Sequence, residues 1–432
     1  MDWKNEYKQK LCGAKEAVSR IKSGGRVVIG HAAGEPSVLV DAMVDSAAQY
    51  RDVEIVHMVP LGKSAYCKPE YAANFRHHAL FAGGPTRKAI EDGRADFTPV
   101  FLHQVPELLR TSLRPDVALV MLSPPDGHGW CSYGINVDYT KAGAESADIV
   151  IAQINKNMPR TYGDSFIHVS DLDCIVEADM PVIELPPPEI GDAERAIGEH
   201  CASLVRDGDT LQLGIGAIPD AALLFMKEKK DLGIHSEMIS DGVAALAEAG
   251  VITNRKKTLH KGKFVVGFMM GTRRLYDFAH NNPAVCMMPS DYVNDPAIIA
   301  QNDNIVSINS CVQVDLAGQV CSESVGLRQI SGVGGQVDFV RGANMAKGGR
   351  TIMAMPSTAA GGKVSKIVPL IDEGAAVTTS RCDVNYVVTE YGIAQLKWQS
   401  LKERARRLIS IAHPDFRDSL AAEFEKRFKC AF

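Results

Sequence analysis

The sequence predicts an α/β protein built as two similar open α/β domains with mainly parallel sheets. Strands, loops and helices alternate early in the chain. Arg26–Ile29 is a short apolar run, Gly30–Pro36 a loop, Ser37 to about Gln49 a helical pattern, and Val53–Val59 a second run closed by Pro60-Leu61-Gly62. That is the order of a βαβ unit. The series then returns: Ile21–Gly30 resembles Val205–Gly214 at a constant offset of 184, and Asp126-Gly-His-Gly129 resembles Asp315-Leu-Ala-Gly318 at an offset of 189. Between the halves, Pro181, Pro186, Pro187 and Pro188 cluster with few helix formers, the composition of a linker. Domains are therefore expected over residues 1–185 and 192–432.

In chain order, Trp3, Tyr7 and Leu11 recur at a spacing of four, which predicts an opening helix with one buried stripe. A second helix is expected over about Ala14–Lys22, ended by Gly24-Gly25. After the first βαβ unit, Asp116–Leu122 reads as a strand, followed by the turn-rich Ser123-Pro-Pro-Asp-Gly-His-Gly129. In the second half, strands are expected at Thr210–Leu213, Gly233–His235, Phe264–Met269, Val285–Met288, Ile305–Ile308, Gln319–Cys321, Thr351–Ala354 and Val387–Val388. Ser400–Ile411 and Phe416–Phe428 read as two closing helices around His413-Pro414.

Composition narrows the function classes. A chain of 432 residues can bury two full cores, and 46% hydrophobic with 23% charged residues is ordinary for a water-soluble globular protein. A formal charge of −5 argues against nucleic-acid binding, which needs a basic face. The charged opening, Met1-Asp-Trp-Lys-Asn-Glu-Tyr-Lys, does not read as a signal peptide, and no apolar run approaches the roughly 20 residues of a membrane span. The ten cysteines are scattered with no Cys-x-x-Cys pair, and no His-Glu-x-x-His is present. Reduced thiols in a cytoplasmic enzyme without a catalytic metal are the expectation.

Several places could carry chemistry. In Leu232–Gly242 an apolar run reaches Ile234, polar His235, Ser236 and Glu237 follow, and Met238-Ile239 resume. A carboxylate at an apolar strand end is costly to desolvate, which makes Glu237 the candidate for the chemistry; Glu390, also at a strand end, is its rival. Gly214-Ile-Gly-Ala-Ile-Pro219 lies between strand and helix, where backbone amides can approach an anion, although a plain tight turn is the alternative. It is not the dinucleotide fingerprint, since Pro219 stands where the third glycine belongs. Ser331-Gly-Val-Gly-Gly-Gln-Val-Asp-Phe339 could aim amides at a developing negative oxygen or form a bulge or hairpin turn. Asn309 ends an apolar strand and could present its amide or cap the loop. Lys363 and Lys366, beside Gly361-Gly362, could meet phosphate or only water.

Gly214–Pro219, His235-Ser-Glu-Met238, Gly332–Phe339, Thr389-Glu-Tyr-Gly-Ile-Ala394 and Ile411-Ala-His-Pro-Asp-Phe416 together resemble the acetyl-CoA hydrolase/transferase family of class I coenzyme A transferases. The likeness runs along nearly the whole chain. It implies a class I CoA-transferase-like fold and ping-pong exchange of coenzyme A between short-chain acyl-CoA and carboxylates such as 4-hydroxybutyrate, butyrate and acetate. Glu237 matches the family's nucleophile, which becomes a glutamyl-CoA thioester. Gly214, Ile215, Gly216, Ala217 and Ile218 match the CoA-binding loop, and Gly334 and Gly335 the glycines near the oxyanion site. Asn309 and Val312 fall in the segment lining the thioester and pantetheine, and Lys363 is a further candidate CoA contact. One thioester is made as another is lost, so no cofactor beyond coenzyme A as substrate is expected. The resemblance also implies a homodimer or higher homo-oligomer. The rival activities are hydrolysis of acyl-CoA by the same glutamate and non-catalytic acyl-CoA binding.

Overall fold

The computed structural model describes residues 2–432. The chain divides into two compact units, one of Met1–Pro186 with Lys263–Val293, the other of Pro187–Gly262 with Asn294–Phe432. The segment 263–293, which the sequence reading places in a contiguous C-terminal domain over 192–432, thus belongs to the first unit. Hydrogen bonding explains the difference. Val285–Met287 pairs in parallel with Tyr162–Gly163, and the Gly267 carbonyl accepts from the amides of Val137 and Asp138.

The first unit holds a seven-stranded, wholly parallel sheet in the order Cys174–Glu177, Ile149–Ile154, Val117–Leu122, Arg26–Ile29, Val53–Val56, Phe75–Ala79, Ala95–Phe97. Every residue of Val117–Leu122 is buried, as expected of a parallel strand covered on both faces. Leu39 and Met43 of the Ser37–Asp45 helix pack onto one face with Val27, Ile29, Ile55 and Leu119.

Within the second unit the strands run Gly392–Gln395, Tyr386–Thr389, Arg350–Ala354, Ile305–Ser310, Thr210–Leu213, Gly233–Ile239. All pair in parallel except the first two, which form an antiparallel edge. The closing helices, Leu401–Ser410 and Pro414–Phe428, bury Leu408, Ile409, Leu420 and Phe424 against Val340, Met353 and Val387.

The repeat read from the sequence is therefore a repeat of topology. Five strands occupy the same order in both sheets, with Arg26–Ile29 answering to Thr210–Leu213 and Val117–Leu122 to Ile305–Ser310. In each sheet the chain order reverses between those two strands, and ligands of open α/β sheets bind outside the carboxyl ends at such a reversal. The opening helix forms over Trp3–Lys10, but none of its residues is buried, contrary to the expected stripe. Among the described residues all ten cysteines are free, and no helix is long and apolar enough to cross a membrane.

Candidate active site

Glu237 does not end its strand, as the sequence suggests; the strand runs on from Gly233 to Ile239. It does so through a bulge. Thr210 and Leu211 pair with Gly233 and Ile234, but Leu213 pairs with Met238, so two steps on one strand span four on the other. Ser236 replaces the missing ladder bonds: its Oγ accepts from the Leu213 amide at 3.2 Å and donates to the Met238 carbonyl at 2.7 Å. Upstream, the Ile234 amide donates to Asn254 Oδ1 at 2.7 Å, and buried Lys257 donates to the Ile234 carbonyl at 2.6 Å. A bulge re-aims the side chain it carries. Here it leaves Glu237 half-buried between fully buried Ser236 and Met238.

Asn294 and Gly335 both approach the carboxylate. Asn294, wholly buried, donates from Nδ2 to Glu237 Oε2 at 3.0 Å, while its own Oδ1 has no hydrogen-bond partner. Gly335 immediately precedes the Gln336–Met345 helix. A Cβ at position 335 would lie 1.8 Å from Glu237 Oε2 and 2.1 Å from Asn294 Nδ2, so any larger residue would displace the carboxylate or the amide. The carboxylate thus sits at a helix N-terminus, where unpaired amides and the helix dipole favour negative charge. Gln336, the first helical residue, is fixed by donating to Ser322 Oγ at 2.8 Å and Thr379 Oγ1 at 3.0 Å. Gly334 supplies the turn into the helix with a φ of +53°. The glycine-dense stretch is therefore a helix entry rather than a hairpin.

Asn294 escapes sequence reasoning. It precedes Asp295, whose side chain caps the Pro296–Ile299 helix by accepting from the Ala297 amide, and Asn-Asp-Pro reads simply as a turn.

The loop 214–218 follows the central strand at the reversal of strand order. Gly216 adopts a φ of +111°, Ala217 opens the Ala217–Leu224 helix, and Ile218 is buried. Ile215 is 48% exposed, leaving an apolar side chain and an open backbone beside a helix start. Within that first turn, burial pushes the Asp220 carboxyl upward, against a 2.8 Å hydrogen bond from Ser240 that lowers it.

The other expected residues differ in how they are held. Asn309 lies on the strand next to Gly214, buried, with Nδ2 donating to Ser307 Oγ at 2.8 Å and Gln212 Oε1 at 3.2 Å. Its amide hydrogens thus serve a buried polar network. The Val312 amide donates to the Cys321 carbonyl at 2.8 Å. Lys363 is exposed at the tip of the Thr358–Ala359 and Val364–Ser365 hairpin, and no contact ties it to Glu237. Lys366 is the lysine turned inward: it donates to the Cys311 carbonyl at 3.1 Å, and burial pushes its ammonium downward. Glu390, the rival carboxylate, is tied to one residue, accepting from the Ser357 amide at 2.8 Å and the Ser357 hydroxyl at 2.6 Å.

Comparison with known proteins shows the family. Residues 1–186 match the acetyl-CoA hydrolase/transferase N-terminal domain, and residues 271–424 the corresponding C-terminal domain. The chain is 64% identical to 4-hydroxybutyrate coenzyme A transferase of Clostridium kluyveri, over 99% of this chain and 100% of that protein. Among solved structures, RipA from Yersinia pestis is similar with a TM-score of 0.94 and 41% identity, covering 99% of this chain and 100% of that one. The 4-hydroxybutyrate CoA-transferase of Porphyromonas gingivalis is similar with a TM-score of 0.85 and 43% identity, over 99% and 100%. This chain belongs to the acetyl-CoA hydrolase/transferase family.

Proposed function

We propose that the protein transfers coenzyme A between short-chain acyl-CoA thioesters and carboxylic acids, 4-hydroxybutyrate, butyrate and acetate among them, through a glutamyl-CoA thioester on Glu237. The observation that carries this reading is the meeting of the Glu237 carboxylate, the Asn294 amide and the Gly335 backbone at the start of a helix. The names of the relatives support the substrate class.

In the first half-reaction, Glu237 attacks the acyl-CoA carbonyl. The carbon–sulfur bond breaks, giving an acyl-glutamyl anhydride and a CoA thiolate. The thiolate attacks the glutamyl carbonyl, the anhydride carbon–oxygen bond breaks, and the first acid leaves as a carboxylate. A second carboxylate attacks the glutamyl thioester and runs these steps in reverse, regenerating Glu237. Each tetrahedral intermediate places negative charge on an oxygen, and donors aimed there contribute about 3 kcal/mol apiece. Asn294 Nδ2 and amides at the Gly335 helix start are the donors in this reading. The open loop 214–218 receives coenzyme A, with Lys363 a further candidate contact. Asn309 acts from beneath by bracing the strands that carry the loop. Since the bond energy of one thioester is passed to the next, no cofactor beyond coenzyme A is needed, and the working form is a homodimer or larger homo-oligomer.

The test is incubation with butyryl-CoA, followed by borohydride and mass spectrometry. A reduced Glu237 peptide, inactivation, and butyryl-CoA consumption that depends on added acetate are expected. Release of coenzyme A independent of acetate would make the protein a hydrolase. An unmodified Glu237 with full exchange would remove it from the role.

A further inference from the structure

Trp3 and Tyr7, two residues of the opening helix's apolar stripe, form part of one wall of a cavity. Trp3, Lys4, Tyr7 and Lys8 line a space of about 580 Å³ together with Pro124, Pro125, Ile154, Lys156, Glu177 and Asp179, all in the first unit. That volume is in the range of small-molecule sites. Its position follows from topology. Pro124 and Pro125 follow the Val117–Leu122 strand, Ile154 and Lys156 close Ile149–Ile154, and Glu177 and Asp179 close Cys174–Glu177. The cavity therefore lies outside the carboxyl ends of three adjacent parallel strands, at the end of the sheet where open α/β folds take ligands but beside the reversal of strand order rather than at it. It also gives a place to the proline-rich turn that the Glu237 site leaves unused.

The wall is held in position. Lys10 donates to the carbonyls of Val169 and Ser170, both at 2.9 Å, and Tyr7 donates to Glu177 Oε1 at 2.8 Å. Trp3 packs so closely on Gly129 that a Cβ there would fall 2.8 Å from Trp3 Cγ. Charge decides the ligand class. Asp179 is paired with Lys156 Nζ at 2.7 Å, while Glu177 accepts the Tyr7 hydrogen bond and keeps its charge. Lys4 and Lys8 are exposed and have no acidic partner within ion-pair distance among the described residues, so three lysines face two carboxylates and the lining is net positive over an apolar floor.

We propose that this cavity binds a small organic anion with a flat apolar body, its ring on Trp3, Pro124 and Pro125 and its acid toward Lys4 and Lys8. The inference does not depend on the role of Glu237. 1-Naphthoate is the probe, titrated calorimetrically into the full chain, with neutral 1-naphthalenemethanol and cationic 1-naphthylmethylamine alongside. One saturable naphthoate site is expected, with the cation at least about tenfold weaker. Lys4→Gln with Lys8→Gln should weaken naphthoate about tenfold and the neutral analogue less than twofold. Tyr7→Phe, which uncovers the Glu177 carboxylate, should also selectively weaken the anion. Trp3→Ala should weaken naphthoate and the neutral analogue alike. No saturable binding at millimolar probe, or binding that Trp3→Ala and the lysine pair leave unchanged, would overturn the proposal; unaltered circular dichroism confirms that each variant is folded.

Discussion

The two sheets share an order of strands but treat the same junction oppositely. After Arg26–Ile29, the residues from Gly30 to Pro36 are all buried, and His31 is paired with buried Asp138. After Thr210–Leu213, the corresponding loop stands open, with Ile215 and Gly216 exposed. The next strand differs in the same sense. Arg26, Val27 and Val28 pair step for step with Glu54, Ile55 and Val56, whereas Thr210–Leu213 meets a bulged partner carrying Glu237. One copy of the motif is closed by packing. In the other, a bulge and an open loop expose a carboxylate and backbone amides at the place where the fold accepts ligands.

The largest effect that can break this contrast is a single methyl. Gly335→Ala puts a carbon 1.8 Å from Glu237 Oε2, so the carboxylate or the helix start must shift. Misplacement by about 1 Å costs on the order of 100-fold in rate. Steady-state kinetics should show at least that loss in kcat, while the melting temperature changes little because neither group lies in the apolar core. Unchanged kcat would mean that this meeting point is only structural.

Asn294→Ala comes next, with kcat expected to fall roughly 100-fold, the effect of losing one preorganised donor. Ser236→Ala is smaller. It removes the hydroxyl that stands in for ladder bonds, leaving the Leu213 amide short of a partner, and should lower stability by about 1–2 kcal/mol. Urea titration measures that loss, and a parallel drop in kcat shows whether the bulge aims Glu237.

These residues also mark what the sequence discloses. Long apolar runs such as Val117–Leu122 and the 184-residue offset make the fold legible, because burial on both faces and a repeated topology leave a periodic trace. Glu237, Gly335 and the loop 214–218 are legible as motifs. Asn294 is not: what matters is its approach to Glu237 across 57 positions of chain, and nothing local distinguishes it from a helix-capping turn. The return of 263–293 to the first unit is hidden for the same reason, since it depends on Cys286 and Met287 pairing with Tyr162 and Gly163. Lys363 and Lys366 are chemically alike in sequence, and only burial separates them.

The units should also part company in acid. In the first, His57 and His77 are fully buried, and burial lowers both imidazoles, His77 to about 4. A histidine depressed in the folded state leaves stability intact above its unfolded pKa of about 6.5. That stability is lost as pH falls toward the folded value, on the order of 3 kcal/mol for His77 alone. Buried Glu35, raised by desolvation, offsets part of this, since a raised carboxyl gains stability as pH falls. In the second unit Asp209 and Asp220 are both raised, so acid relieves them, which opposes the strain on His260, where burial lowers the imidazole. Hydrogen exchange between pH 7 and 4.5 should show protection falling first in Val53–Val56 and Phe75–Ala79. Equal loss in Thr210–Leu213 would defeat the distinction.

The smallest effect concerns Trp398, in the second unit. Trp398 lies between the Gly392–Gln395 strand and the Leu401–Ser410 helix with a φ of +65°, and 88% of it is exposed. Left-handed backbone costs a non-glycine residue about 1–2 kcal/mol, and so exposed a ring gains little from packing to offset it. The turn itself is fixed by the Gln399 amide donating to the Leu396 carbonyl at 3.1 Å, so the conformation survives a change of side chain. Trp398→Gly should therefore stabilise the chain by about 0.5–1 kcal/mol, the relief of strain outweighing the added freedom of the unfolded glycine. Trp398→Ala keeps the strain, loses only the ring, and should be close to neutral. If Gly and Ala variants melt together, the backbone at 398 holds no strain, and the exposed indole is what the fold retains there.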